Sequence, residues 1–237
     1  MPIYTLKLID RYDAAQDTPV FIFEKPAGFT YKPGQYGGFT LINPAETDAG
    51  GITRRFSLLS SPDDAHLAIV TRVQNSAFKR VLNSLLLGNT IKFAGPSGNF
   101  TLHDDVTVPA VFIAGGIGIA PFYSMIRYHL AHPIPQKLYL FYGNQHIGCA
   151  PFLQELLRLQ HEHPLFHFIP TMDRADPTWS GETGFIDNHL IKKYVEEIDE
   201  ANFYVCGSPV MVTALQETLL EMDIDEARIK VEDFPGY

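Results

Sequence analysis

The segment FIAGGIGIAPF, residues 112–122, holds a strand, a turn and the start of a helix in one short run. An apolar β-type stretch runs into Gly115, Gly116 and Gly118, and a helical pattern leaves them. That succession opens a βαβ unit, and an open parallel sheet binds ligands outside the carboxyl ends of its strands. Glycines there let a pyrophosphate approach the backbone, while the helix N-terminus adds a favourable dipole. The spacing departs from the usual dinucleotide fingerprint, so by itself the run is equally a tight βα connection without a ligand.

The same grammar continues to the C-terminus. PAVFIAG, KLYLFYG, FHFIPTM and NFYVCGS read as buried strands, with helices expected near 121–131, 151–162, 188–197 and 209–222. Pro151 and Pro209 suit the first helical position. Before residue 104 the pattern differs: PIYTLKLID, PVFIFEKP, GQYGGFTLI, RRFSLLS, HLAIVTRV and NTIKFAGP are short β-type runs separated by Pro, Gly, Asn or Asp. Six such runs predict a small closed antiparallel barrel. One helix interrupts them, SAFKRVLNSLL, with Ser76 as N-cap and Gly88 near the C-cap. The boundary falls within HDDVTVP, giving a six-stranded β-barrel domain over 1–103 and a Rossmann-like α/β domain with a parallel sheet over 104–237.

Composition narrows the function. With 27 acidic against 18 basic residues the chain carries −9, which argues against a broad nucleic-acid footprint. Two cysteines, Cys149 and Cys206, supply neither a disulfide framework nor the four thiolates of an ordinary iron–sulfur cluster. His161, His163 and His167 fit no zinc spacing, and Pro164 breaks any helix joining them, so no metal site is expected. Residues 106–126 carry no charge, but their prolines and glycines split them into strand, turn and helix. With no signal-peptide core at the N-terminus, a cytoplasmic protein without membrane insertion is expected.

Candidate site residues gather at strand ends. Cys206 and Gly207 follow one strand, although a lone cysteine is equally a small buried hydrophobe. Asp173, in PTMDR, offers a carboxylate to a ribose diol and repels a 2′-phosphate; otherwise it is a solvated loop acid. In RRFSLLSSP, residues 54–62, strand alternation puts Arg54, Phe56 and Leu58 on one face and Arg55, Ser57 and Leu59 on the other. Neither face is cleanly apolar, so core packing alone does not explain the strand.

Together, RxFS at 54–57, GPSGNF at 95–100, GGIGIAPF at 115–122, YVCGSPVMV at 204–212 and the terminal VEDFPGY resemble, in order, the ferredoxin–NADP reductase superfamily. The resemblance spans essentially the whole chain. It implies a flavin lying against the strand at 54–57: Arg54 on its phosphate, Phe56 packed on the isoalloxazine, the Ser57 hydroxyl near N5, and Val70, Thr71 and Arg72 along its edge. Ser76, Ala77, Phe78 and Lys79 align with the segment that wraps the diphosphate. FAD is implied ahead of FMN. Gly115, Gly116, Ile117, Gly118, Ala120, Pro121, Asp173, Arg174, Cys206, Gly207 and Met211 would serve the nicotinamide nucleotide, NADH or NADPH. Asp173 and Gln145 look like the NADH-preferring members. Ser57, Cys206 and Glu232 would take the catalytic positions, with Phe234 or Tyr237 shielding the ring. The implied activity passes hydride to flavin and electrons to a separate acceptor, a redox protein or a small molecule. A free-flavin reductase and an electron-transfer subunit without its own nicotinamide turnover are the alternatives.

Overall fold

The computed structural model describes residues 2–73 and 76–234, which form two six-stranded sheets. Strands β1 (Ile3–Ala15), β2 (Thr18–Glu24), β3 (Tyr36–Thr40), β4 (Thr53–Ser57), β5 (His66–Val70) and β6 (Thr90–Ser97) pair antiparallel in the order β4-β3-β6-β1-β2-β5. The sheet curls shut just beyond β4, where the Leu59 N–H donates to Ala68 O of β5 at 2.8 Å. Phe21, Phe23, Phe39, Leu67, Ile69 and Phe93 fill the interior, the inward half of a strand alternation.

Helix α1 (Ala77–Ser84) closes one side by burying Phe78, Val81 and Leu82 in that cluster. Ser76 takes the expected N-cap position, but its hydroxyl makes no capping bond. Asp48 does so instead, its Oδ2 accepting from the Ala77 N–H at 2.7 Å. Leu85, not Gly88, is the C-cap; Gly88 lies beyond it at φ +91°, in the turn into β6.

The second sheet contains β7 (Ala110–Gly115), β8 (Leu138–Asn144), β9 (Phe166–Met172), β10 (Glu182–Thr183), β11 (Asn202–Gly207) and β12 (Ile229–Asp233). All its pairs are parallel, in the order β10-β9-β8-β7-β11-β12. Helices α2 (Ile119–Leu130) and α3 (Leu153–Glu162) pack on one face, α4 (Asn188–Tyr194) and α5 (Pro209–Glu221) on the other. This is the antiparallel-then-parallel architecture expected from the sequence. Pro209 opens α5 as its spacing predicts, whereas Pro151 precedes its helix: Phe152 sits left-handed at φ 62° and α3 starts at Leu153. The uncharged stretch 106–126 divides into β7, a turn and most of α2, and no helix among the described residues is long and apolar enough to cross a membrane.

One core spans the two sheets. Val20, Leu59 and Val70 of the barrel pack with Ile117, Ala120 and Tyr123. At the same junction the Ser124 hydroxyl donates to Ser60 O at 2.6 Å, and Arg127 pairs with Asp64 at 2.6 Å. These contacts bring α2 against the barrel strands and aim the strand ends of β7 and β11 toward β4. The turn after β7 leaves no room for a side chain: a Cβ on Gly118 would overlap the Cys206 carbonyl and lie 2.9 Å from Gly207 Cα. Gly118→Ala should therefore destabilise the protein by about 1–3 kcal/mol. Thermal melting checks this, and an unchanged Tm would mean that the turn can open.

Candidate active site

Two clefts meet at the junction. The first, about 440 Å³, is lined from the barrel by Tyr36, Arg54, Arg55, Phe56, Ser57, Val70, Thr71, Arg72 and Lys79, and from the α/β half by Ile117, Ala120, Glu232, Asp233 and Phe234. Strand β4 thus presents the polar members of both its faces to one cavity, which accounts for its broken alternation. Phe56 is half-buried, its ring 5.8 Å from both Phe39 and Phe78, so it forms the boundary between barrel core and cleft.

Positive charge gathers at one end of this cleft. Burial, with Arg54 and Arg72 nearby, lowers the pKa of Lys79. Arg54 stacks over Phe78 at 5.4 Å and pairs with Asp48 at 3.1 Å. Cations crowded into a concavity beside a helix N-terminus are suited to a polyanion.

At the opposite end, β12 runs parallel to β11 and sets Glu232 beside Cys206. The Ser57 hydroxyl donates to Glu232 Oε2 at 3.4 Å across the domain junction. Burial pushes the Glu232 pKa up to about 7, partly offset by this hydrogen bond. The Cys206 thiol is fully buried, and burial together with Glu232 and Asp233 pushes its pKa well up. It therefore stays a neutral thiol.

The second cleft, about 450 Å³, lies over the carboxyl ends of β7, β8, β9 and β11. Gly116, Asn144, Gln145, Asp173, Phe185, Ser208 and Met211 line it. Gly116 holds φ +48°, and any Cβ on Gly115 would overlap the Met211 sulfur, so the glycines shape this floor. Asn144 is 9% exposed, and although the Tyr142 hydroxyl lies near its amide, neither polar atom completes a well-formed hydrogen bond in the protein. A buried amide so poorly satisfied fits a site that a polar ligand completes. Arg72 lines both clefts, and its Nη2 donates to Cys149 O at 3.2 Å.

The residues singled out in the sequence divide between these places. Arg54, Phe56, Ser57, Val70, Thr71, Arg72, Lys79, Glu232 and Phe234 meet in the first cleft, joined by Ile117 and Ala120, which the resemblance gives to the nucleotide instead. Gly116, Asp173 and Met211 line the second, while Gly115, Gly118, Cys206 and Gly207 pack beneath it. Arg174 is exposed beside it, and Pro121 is buried in α2. Ser76 and Ala77 stand at the head of α1, and Phe78 faces the barrel core. Tyr237 lies outside the described residues. Tyr36, Asn144 and Phe185 are not marked by the sequence reading, and Arg55 is placed on its strand but given no role. A polar residue closing an apolar strand, as in FYGN, is the pattern that marks Asn144.

The cationic end of the first cleft suits a phosphate, and the poorly satisfied amide of the second suits a polar ligand. A family model described as an oxidoreductase NAD-binding domain matches residues 112–217. Ferredoxin–NADP reductase B of Sorangium cellulosum is 28% identical over 223 residues, covering 90% of this chain and 89% of that protein. A cytochrome P450 reductase from Amycolatopsis superposes with a TM-score of 0.83 at 24% identity, over 98% of this chain and 70% of that one. A ferredoxin–NADP reductase from Neisseria gonorrhoeae, solved with FAD and NADP bound, gives 0.82 at 21% identity, over 98% and 99% of the two chains. In sequence and in fold, over nearly its whole length, this chain is similar to oxidoreductases of the ferredoxin–NADP reductase superfamily.

Proposed function

We propose that the protein is an NADH-preferring flavoprotein reductase, with FAD held by the barrel domain (1–103) and the nicotinamide nucleotide by the domain over 104–237, that delivers electrons to a separate acceptor. The observation that carries this reading is the meeting of two clefts at Arg72, a cationic one that also holds the Ser57–Glu232 pair and one over the strand ends. Bound in the first cleft, FAD would take hydride from the nicotinamide and pass electrons on one at a time.

This chain's residues prepare the place for that chemistry. Arg54, Lys79 and the head of α1 supply charge and donors for the diphosphate. Ile117, Ala120, Val70 and Phe234 wall the ring end with apolar surface and exclude water. Ser57 orients Glu232, whose raised pKa lets it hold a proton near neutrality. The buried Cys206 thiol packs at the seam without adding charge. A ferredoxin, as for the Sorangium relative, or a cytochrome P450, as for the Amycolatopsis structure, is a fitting acceptor for a cytoplasmic reductase of this design.

Nucleotide choice rests on Asp173, which follows β9 on the rim of the second cleft. A carboxylate there disfavours a 2′-phosphate. Steady-state oxidation with ferricyanide as acceptor should give NADH a kcat/KM about tenfold or more above NADPH, and Asp173→Ala should narrow that ratio. Equal use of both nucleotides, unchanged in the variant, would contradict the assignment.

A further inference from the structure

The loop between β3 and β4 places a carboxylate where the flavin reading of the first cleft needs a phosphate. Asp48 accepts three bonds: from the Ala77 N–H at the head of α1 (2.7 Å), from Arg54 Nη2 (3.1 Å) and from the Gly50 N–H (2.9 Å). The first two donors are the ones a diphosphate at this helix would use. The loop is also tethered at Glu46 and turns sharply at Gly51, whose carbonyl accepts from Arg54 Nη1 at 3.2 Å. Glu46 makes a two-pronged pair with Arg80 of α1 at 2.9 and 2.7 Å, while Gly51 holds φ +72° and Gly50 packs against the Arg54 guanidinium, where no side chain would fit.

We propose that Asp48 is an intrachain stand-in for phosphate: it occupies the cradle formed by Arg54 and the head of α1, and the flavin diphosphate binds by displacing it. Glu46 and Arg80 keep the loop tethered while Asp48 swings out. The ion pair therefore works against flavin affinity and keeps Arg54 and the Ala77 amide satisfied when flavin is absent.

The two ends of the pair then differ in sign. Arg54→Ala removes a phosphate donor and weakens flavin binding, whereas Asp48→Asn removes the competing charge, keeps the shape and strengthens it. A salt bridge that only supports the loop would make both variants weaker.

The test is fluorescence titration of flavin-stripped wild-type and D48N protein with FAD, with thermal melting to establish that each is folded. D48N should bind about tenfold more tightly, a difference of roughly 1.4 kcal/mol. Hydrogen exchange gives a second readout in the wild type: on FAD addition the Gly50 and Gly51 amides should exchange faster while Ala77 stays protected. Equal or weaker FAD binding by D48N, or increased protection of Gly50, would overturn the proposal. If neither protein binds FAD, the flavin reading itself fails; inorganic pyrophosphate then probes the cradle alone, and equal affinity in the two proteins would overturn the displacement as well.

Discussion

Arg54→Ala lowers the affinity for FAD by about a hundredfold, the loss expected when hydrogen bonds to a charged phosphate are removed. The guanidinium sits at the cationic end of the first cleft, held over the Phe78 ring at 5.4 Å and by the carbonyls of Gly51 and Thr53 at 3.2 and 2.9 Å. Backbone carbonyls thus fix its direction, and the fork arrives already oriented. Arg54→Lys keeps the charge but loses the planar fork, so it should recover only part of the affinity. Equilibrium titration by flavin fluorescence measures both. Affinity unaffected by Arg54→Ala would place the phosphate elsewhere in the cleft.

Turnover should fall as pH rises through about 7, approaching tenfold per unit, and Glu232→Gln should flatten that profile. Hydride delivery brings negative charge into the cleft beside Glu232. The neutral acid tolerates that charge, and the carboxylate opposes it. Glutamine, which cannot ionise, keeps the rate near the low-pH plateau, so wild type and variant should differ by about a hundredfold at pH 9. A wild-type profile without an inflection near 7, or one retained in Glu232→Gln, would remove Glu232 from this role.

The same shift has a consequence for stability that needs no cofactor. The folded pKa of Glu232, about 7, lies above the ordinary 4.5 of the free side chain. Between those values the folded state binds more protons than the unfolded one, so this residue's contribution falls as pH rises from about 4.5 through about 7. Glu232→Gln should therefore melt above the wild type at pH 8, with the difference shrinking near pH 4.

Much of this was legible in the sequence because it is local. The glycines of FIAGGIGIAPF predict a strand–turn–helix, and the turn shows why: Gly116 needs positive φ, and Gly118 has no space for a Cβ. The alternation of RRFS leaves neither face cleanly apolar, which core packing alone does not explain, and all four of its residues line a cavity. Longer-range pairings were out of reach. Nothing near residue 48 in the sequence says that its carboxylate will cap a helix beginning at residue 77. Ser76 has the right chemistry at the N-cap position, yet Asp48 supplies the bond. Pro151 satisfied the local rule for a helix start, but the left-handed turn at Phe152 delays α3 to Leu153. Asn144 ends a strand among apolar neighbours, and only the assembled cleft shows its amide poorly satisfied.

The most direct measurement is an anaerobic titration of the purified protein with NADH, following flavin absorbance near ~450 nm. The protein should hold a bound flavin that bleaches fully with about one equivalent of NADH and much more slowly with NADPH. A bound flavin that neither nucleotide reduces, or a colourless protein that oxidises NADH only when free flavin is supplied, would contradict the proposed function.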